Sequence, residues 1–505
     1  MRVAGIVLLL LALLAAGPTL AQGPITLTIL YTSEHHGALL PFDVGEVKNV
    51  GGVAARATLV ERVRREAPHV LLLDSGDILI GTAMSSVFRG EPDILAMNLM
   101  GYDAMAAGNH EFDFGLEHFR RLQVLARFPI ISTTVRGVGG EVAPVVVVKR
   151  VAGLRIALTS AIDPLTFPDS IHPNVVSQLV YFDAVDTIRT LVDRLAPAAD
   201  LFIALTHQHT EQDLALARAV PKLAAIVGGH TEGFDGLLTA AGGAPVAALD
   251  KPPTVFVKTH RLGATVGRLD LLITGRRVMR ATARNLPVRD LPPHPAVAAL
   301  VKRYQDQLQA RFGEVVGRAE VELDGSRANV RTRETNLGNL VADVMREFAR
   351  TDVALMNGGG IRDSLRAGPI TLGDIFRVLA FDNTIVTMRV TGAQLRSALE
   401  NGVSQVEQGS GRFPQVSGMA FVFDPRRPVG QRVLEVRVGP APLDPTRTYT
   451  LATNDFVAGG GDGYTMLRGA PEWRDSQVLL RDVFIEFVRR VGTVTARVEG
   501  RIRTP

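Results

Sequence analysis

Residues 104–115 read Ala-Met-Ala-Ala-Gly-Asn-His-Glu-Phe-Asp-Phe-Gly. A short apolar run stops at Gly108, and Asn109, His110, Glu111 and Asp113 crowd into the next five positions. That is the pattern of a buried strand opening into a loop, the place where open α/β sheets carry their sites. Taken alone, the stretch reads equally well as a helix start, with Asn109 as cap and Glu111 and Asp113 in the first turn. Four further stretches separate the readings. Leu27–Thr32 runs into Ser-Glu34-His35-His36-Gly, and Val70–Leu73 runs into Asp74-Ser-Gly-Asp77. Leu201–Thr206 runs into His207-Gln-His209, and Ala224–Val227 runs into Gly-Gly-His230-Thr-Glu232. Apolar runs that repeatedly spill into His, Asp, Glu or Asn point to one face of one sheet on which metal ligands converge.

The elements that must position these residues follow from periodicity. Residues 25–31 alternate as a strand, and a helix follows from Gly51-Gly52 to about Glu66. Strand 70–73, helix 92–100, strand 104–107 and helix 115–127 continue the alternation, which predicts a layered α/β domain. Residues 145–148 and 154–158 form a hairpin pattern about Ala152-Gly153. Helices 184–195 and 212–219 precede strands 201–205 and 224–227, and 254–258 and 264–273 read as closing strands. Four prolines within 286–295 mark a linker. The helix after it, to Phe312, is polar nearly all round in its second half, which fits a bridge between domains. A second domain, from about Gly313, opens with helix 336–349 and strand 352–356. Helix 371–378, strand 384–390 and helix 392–400 follow, then a strand-rich stretch with turns, and a last helix over about 476–490.

A chain of 505 residues is too long for one core, so two domains are expected. Residues 1–21 carry Arg2, an apolar run from Val3 to Ala16, and small residues up to Ala21, the pattern of a secretory signal peptide. The absence of cysteine excludes disulfides and thiol lipidation. No second long apolar segment occurs, so the expectation is a soluble periplasmic or secreted protein with no membrane partner after cleavage. The formal charge is only +4 with scattered arginines, so no nucleic-acid partner is expected. Composition says nothing about oligomeric state.

The order Glu34-x-His36, Gly-Asp77, Gly-Asn109-His110-Glu, His207 and Gly-His230-x-Glu232 resembles the ligand set of the calcineurin-like metallophosphoesterases. With the carboxy-terminal stretches Val330–Asp343 and Asn357-Gly-Gly-Gly-Ile-Arg362, the chain resembles the bacterial 5′-nucleotidase/UDP-sugar hydrolase family over nearly everything after residue 24. The resemblance implies a four-layer α-β-β-α domain over 25–290, a linker helix over 291–312 and a smaller α+β substrate-binding domain over 313–505. It implies two divalent ions bridged by Asp77. Glu34, His36 and Glu232 would bind one, and Asn109, His207 and His230 the other. His110 would donate to the phosphoryl group, held and kept protonated by Asp113.

The family usually carries Asp where this chain has Glu34, and His or Gln where it has Glu232. Two carboxylates on the same ion make that position harder, favouring manganese, with magnesium, iron and zinc as the other candidates. His35 and His209 match no family position and read as flanking residues, Asp74 reads as a turn residue, and Met97 and Met100 as core.

In the second domain the resemblance assigns Arg331, Asn357 and Arg362 to phosphate and ribose. It assigns Phe381 and Phe456 to a sandwich around the base, and Asp462 to the ribose hydroxyls. It implies release of phosphate from nucleoside 5′-monophosphates, with UDP-sugars or 2′,3′-cyclic nucleotides as further substrates. Two other readings stand beside it. One is a thiosulfohydrolase of the sulfur-oxidation branch of the fold, and the other a non-catalytic nucleotide-binding protein with a decayed first metal position.

Overall fold

The structure, a computed structural model, describes residues 23–505 apart from 45, 164–174, 176 and 232. The signal-peptide segment and Glu232 lie outside the described residues. No helix among the described residues is long and apolar enough to cross a membrane.

The first domain is built on two sheets. One is seven-stranded, in the order Ala248–Asp250, Arg277–Pro287, Thr265–Thr274, Ile25–Thr32, Val70–Asp74, Ala104–Ala106 and Ile130–Ile131. The other is six-stranded, in the order Leu238–Thr239, Val255–Lys258, Leu223–Gly228, Leu201–His207, Leu154–Ile162 and Val147–Val151. Leu27, Ile29, Leu71, Leu73, Leu158, Ile203, Leu205, Val227 and Val257 join the sheets in one apolar core. Each side chain of this kind contributes ~1.5–3 kcal/mol by leaving water. Helices Val53–Glu66, Glu91–Met100, Leu116–Leu125 and Pro295–Arg311 cover the outer face of the first sheet, and Ala184–Leu195 and Thr210–Ala219 that of the second. This is the four-layer arrangement. Strands Ile25–Thr32, Val70–Asp74 and Ala104–Ala106 run parallel in one sheet, and Leu154–Ile162, Leu201–His207, Leu223–Gly228 and Val255–Lys258 run parallel in the other. The five chemistry-bearing loops therefore leave the carboxyl edges of two facing sheets, three from one and two from the other. The expectation of one face of one sheet is corrected: loops that look alike in sequence come from different sheets, and sheet membership is set by long-range pairing.

The helix Pro295–Arg311 is also not a free bridge. It buries Val297, Val301 and Tyr304 against the first domain, and Tyr304 Oη donates to Glu91 Oε1 at 2.5 Å. Phe312, by contrast, packs against Phe376 of the second domain, with ring centroids 5.2 Å apart. The change of allegiance falls between Arg311 and Phe312.

The second domain has a five-stranded sheet in the order Pro414–Ser417, Val353–Asn357, Thr448–Asn454, Thr384–Thr391 and Arg474–Leu479, with two smaller sheets beside it. Its closing helix is Leu480–Val491, shorter than the 476–490 read from sequence. Residues 474–479 instead pair with Thr384–Thr391, and Gln477 has φ 57°, a left-handed conformation that no α-helix accommodates.

Candidate metal centre and substrate-binding face

Asp77 lies at the middle of the first-domain site. Its backbone is left-handed, φ 58°, and the loop that carries it can approach the next only because two glycines face each other. A Cβ on Gly76 would stand 2.5 Å from the backbone nitrogen of Gly108, and a Cβ on Gly108 would strike the Asp77 carboxylate. Glu111 then fastens both loops. Its Oε2 accepts from the backbone N–H groups of Asp77 at 2.9 Å and Gly108 at 2.6 Å, and its Oε1 from Ile78 at 2.9 Å. Burial and the neighbouring Asp77 push the Glu111 carboxyl up to about 7 against these bonds.

Around Asp77 stand the imidazoles. His207 Nε2 is 2.9 Å from Asp77 Oδ2, and His207 Nδ1 bonds the carbonyl of Ser75 at 2.9 Å, which leaves Nε2 directed into the site. His230 Nδ1 is 3.1 Å from His207 Nε2. His36 is oriented in the same way, Nδ1 on the carbonyl of Ile80 at 3.1 Å and Nε2 facing inward, 3.3 Å from Glu34 Oε2. The other Glu34 oxygen accepts from the backbone N–H of His230 at 2.5 Å, so this carboxylate ties the loop from one sheet to a loop from the other. Burial pushes the Glu34 carboxyl up, but His207 and His36 outweigh it and hold it at about 2, an anion at any neutral pH. Burial and His207 push His230 down to about 4, so it presents a neutral ring.

Asn109 is buried at the end of its strand, and its side chain makes no capping bond to the one-turn helix His110–Phe112. The α-helix that follows starts only at Leu116. The reading of Asn109 as a mere cap falls.

Four of the sequence-assigned ligands, Glu34, His36, Asp77 and His230, have left-handed backbones, with φ between 47° and 68°. Each such residue costs ~1–3 kcal/mol and persists only where the surroundings enforce it. Two groups result whose nitrogen and oxygen atoms lie within 4.8 Å of one another, His36–Asp77–His110 and Asp77–His207–His230. Buried imidazoles directed at a shared buried carboxylate suit divalent cations well. A third group, Asp163–His209–His230, sits behind the second. Asp163 Oδ2 is 3.6 Å from His230 Nε2 and 3.3 Å from His209 Nε2, the place of a carboxylate that backs a ligand histidine. His209 is thus a flanking residue, as is His35, which is buried between Arg56 and Asp93. Asp74 spends its carboxylate on Gly76 N–H, the bond of a turn, and on the hydroxyl of Thr32, its register partner on the neighbouring strand.

His110 lies at the edge of the group. Its Nδ1 bonds Asp113 Oδ2 at 2.5 Å, its backbone N–H donates to Asp77 Oδ1 at 3.0 Å, and its Nε2 is 4.0 Å from Asp77 Oδ2. Burial lowers its pKa, but Asp113 and Asp77 outweigh that and raise it to about 10. Nε2 also meets Gln477 Oε1 of the second domain at 3.0 Å. A cavity of ≈ 520 Å³ beside it is lined by His36 and Thr82 from the first domain and by Asp382, Asp455, Asp475 and Gln477 from the second.

The six substrate-face residues gather on the second domain. Asn357 ends its strand, accepts from Asn454 Nδ2 at 2.9 Å and donates to Asp462 Oδ2 at 2.8 Å. Arg331 is buried. Burial lowers its pKa, as do Arg327 and Arg362, while Asp462 raises it, so the arginines share one patch of field. The Arg362 guanidinium is 5.5 Å from the centre of the Phe381 ring. Phe381 and Phe456 are both about half exposed, at 49% and 48%, against the burial usual for phenylalanine. None of the six lines the cavity at His110. The metal-side residues are brought together around Asp77 and the substrate-face residues on the second domain, where Asp382 and Asp455, the chain neighbours of Phe381 and Phe456, line the cavity with His36. Glu111 and Gln477 were not singled out as site residues by sequence. Glu111 stands inside the Gly-Asn-His-Glu motif, which is a signal. Gln477 carries none.

Residues 27–232 match the calcineurin-like phosphoesterase model, and 315–469 the 5′-nucleotidase C-terminal domain model. The trifunctional nucleotide phosphoesterase protein YfkN of Bacillus subtilis is 32% identical over 94% of this chain, which spans about a third of that protein's length, 35%. A snake venom 5′-nucleotidase of Gloydius brevicauda is 31% identical over 96% of this chain and 90% of its own length. Among solved structures, a 5′-nucleotidase precursor of Thermus thermophilus is 34% identical, covers 95% of this chain and 99% of its own, and superposes with a TM-score of 0.57. These matches make the chain a member of the 5′-nucleotidase family of phosphoester hydrolases, a calcineurin-like phosphoesterase domain joined to a 5′-nucleotidase C-terminal domain.

Proposed function

We propose that the chain releases phosphate from nucleoside 5′-monophosphates, using two divalent metal ions, in the periplasm or outside the cell. The observation that carries this reading is that Asp77 stands at once within reach of His36 on one side and of His207 and His230 on the other. A carboxylate common to two sets of ligands is how a pair of ions is kept a few ångströms apart. Glu34, His36 and Asp77, with Glu232, would hold one ion, and Asp77, Asn109, His207 and His230 the other. Bound there, the ions supply Lewis acidity and a water-derived nucleophile at neutral pH.

The remaining roles belong to the chain. Glu111 and Ser75 hold Asp77 and His207 in place before substrate arrives. His110 presents a proton at Nε2, and Asp113 keeps it there through Nδ1. Arg331 and Arg362 supply positive charge for the phosphate, Phe381 and Phe456 stack on the base, and Asn357 and Asp462 read the ribose. Nucleoside diphosphate sugars and 2′,3′-cyclic nucleotides carry the same base, ribose and phosphate chemistry and fall within the reading. A thiosulfonate carries neither base nor ribose, which leaves two half-exposed phenylalanines without a purpose.

Substrate has to meet both surfaces, so the domains have to move. Three observations support this. The substrate-face residues do not line the cavity at His110. Gln477 occupies the hydrogen-bonding position on His110 Nε2. A TM-score of 0.57 against a chain 34% identical over 95% of the length is what two similar domains at a different mutual angle produce.

Four outcomes are expected. Metal-stripped protein assayed for phosphate release from AMP regains activity better with manganese than with zinc, because Glu34 and Glu232 harden one position. Full recovery on zinc alone, with zinc the ion that co-purifies, overturns the preference. No release with any ion, in protein that has taken up metal, overturns the activity.

His110→Ala keeps its metal and loses turnover roughly a hundredfold. Asp77→Ala loses metal. Elemental analysis beside kinetics reads both, and metal loss in the His110 variant makes His110 a ligand.

Asp113→Asn changes the pH profile. A histidine whose pKa is raised holds its proton below the ordinary 6.5 and loses it as pH rises through about 10, and the stabilisation it contributes is lost over the same interval. Removing the Asp113 charge brings the alkaline limb of kcat/KM toward neutral pH. An unmoved limb assigns it to another group.

A disulfide between Ser86→Cys and Asp482→Cys, whose native side chains meet across the domains at 2.5 Å, holds the present arrangement. With no native cysteine, only these two pair on oxidation. The locked protein turns over AMP far more slowly than the reduced one. Equal rates overturn the domain motion.

A further inference from the structure

Lys258 ends the strand Val255–Lys258, in register with Gly228 of its parallel neighbour, and among the described residues it is the only buried lysine. Burying an ammonium is costly unless each of its protons is bonded and a counter-charge is near. Here the three donors are used. Lys258 Nζ donates to the carbonyl of Gly229 at 2.7 Å, to the carbonyl of Gln208 at 3.1 Å, and to the hydroxyl of Thr231. The buried carboxylate of Asp213 lies 4.0 Å away, and its other oxygen accepts from Gln208 Nε2 at 2.9 Å.

The three acceptors bracket two histidines. Gln208 follows His207 in the chain, Gly229 precedes His230, and Thr231 follows it. The two loops leave neighbouring parallel strands, and the inward nitrogens of their imidazoles stand 3.1 Å apart. Two rings within hydrogen-bond distance of each other keep their separation only as well as the backbones behind them are fastened. His207 has the carbonyl of Ser75 for this, and His230 has Asp163 on its far side. Lys258 fastens the two loops to each other from the side chain, beside the backbone bond from Gly229 N–H to the carbonyl of Thr206 at 2.7 Å.

We infer that Lys258 is a positioning residue for the metal centre: by bonding the backbone on both sides of the His207–His230 pair, its ammonium sets their separation and so the affinity of that half of the centre for a divalent ion. This rests on the reading of His207 and His230 as metal ligands.

The inference has a distinctive sign. An ammonium that acts only through its charge repels a nearby cation, and removing it tightens metal binding. An ammonium that acts by positioning does the reverse. The test uses full-length Lys258→Met, which keeps length and deletes the donors, and Lys258→Gln, which restores part of the hydrogen bonding without the charge. Manganese is titrated into stripped protein by calorimetry, bound metal is counted by elemental analysis, and Tm is measured in chelator and in excess manganese. The expected result is that Lys258→Met weakens binding of one ion equivalent by on the order of tenfold or more, the usual cost of losing a group that orients metal ligands. The other equivalent is unchanged, and Lys258→Gln recovers part of the loss. The rise in Tm on adding manganese shrinks, while Tm in chelator falls less. Unchanged or tighter binding in folded Lys258→Met overturns the inference. So does an equal fall in Tm with and without manganese, which makes Lys258 a general core residue. Should Lys258→Met not fold, Lys258→Gln decides on the same two measurements. His207→Ala separates this failure from that of the parent reading: if it keeps the full metal content, the assignment of the centre is wrong, whatever Lys258 does.

Discussion

The apolar contact between two sheets is the constraint from which the rest of the first domain follows. Each sheet alone offers part of the set of candidate ligands at its carboxyl edge. Glu34, His36, Asp77 and Asn109 come from one, and His207 and His230 from the other. Packing Leu71, Leu73, Ile203, Leu205 and Val227 into a single core fixes how far apart those edges stand. Close-packed interiors do not deform continuously. The residual adjustment is made by polar bonds that cross between sheets, Glu34 Oε1 to His230 N–H and the Ser75 hydroxyl to the carbonyl of Val227 at 2.7 Å. These cross-sheet bonds are short and buried, so water does not compete for them.

Much of this was legible in the sequence, for a physical reason. A parallel strand buried on both faces is an unbroken apolar run, and the polar residues that follow it stand out sharply. The runs before Asp77, Asn109, His207 and His230 all show this contrast, and each became a strand ending at the site. Sheet membership was not legible, because a run such as Leu201–Thr206 carries no mark of its pairing partner. The role of the helix Pro295–Arg311 was misread for a related reason. Its polar second half masks the side on which Val297, Val301 and Tyr304, with Leu300 and Leu308, dock it on the first domain. The final helix was drawn too long because Val478 and Leu479 have the apolar character of the helix that follows them, while the left-handed Gln477 between strand and helix is a backbone property with no side-chain signature.

The residues that sequence did not single out share a feature. Glu111 and Lys258 do their work on backbone groups, a carboxylate gathering N–H donors and an ammonium gathering carbonyls. A ligand histidine is recognisable by what precedes and follows it. A side chain that bonds the main chain of a distant loop is recognisable only once the loop is in place. Both are charged and buried, and each sits where two ligand-bearing loops meet.

The two halves of the molecule differ in how they hold their functional groups, and the difference follows from what each has to do. The first-domain site concentrates left-handed backbones, buried charges and short hydrogen bonds. Such a site is expensive to build but needs no reorganisation during reaction, which is the main way fixed charges lower a barrier. The second-domain face holds its two rings half exposed and its Arg362 on a short loop, restrained by few bonds. On the proposed reading this face admits a flat base from water and later releases it, and full burial gains it nothing, because stacking of ~1–3 kcal/mol per base is enough to hold a ligand whose phosphate is bound elsewhere. Rigid chemistry on one domain and reversible recognition on the other leave the joint between them to do the rest. With the helix Pro295–Arg311 docked on the first domain and Phe312 packed in the second, that joint runs through the peptide units around Arg311–Phe312, the polar contacts of Gln477 with His110 and Asp482 with Ser86, and the apolar contacts of Leu479 with the first-domain core and Val87 with the second. On the proposed reading, the same Gln477 that meets His110 in one arrangement yields that nitrogen to phosphate in the other.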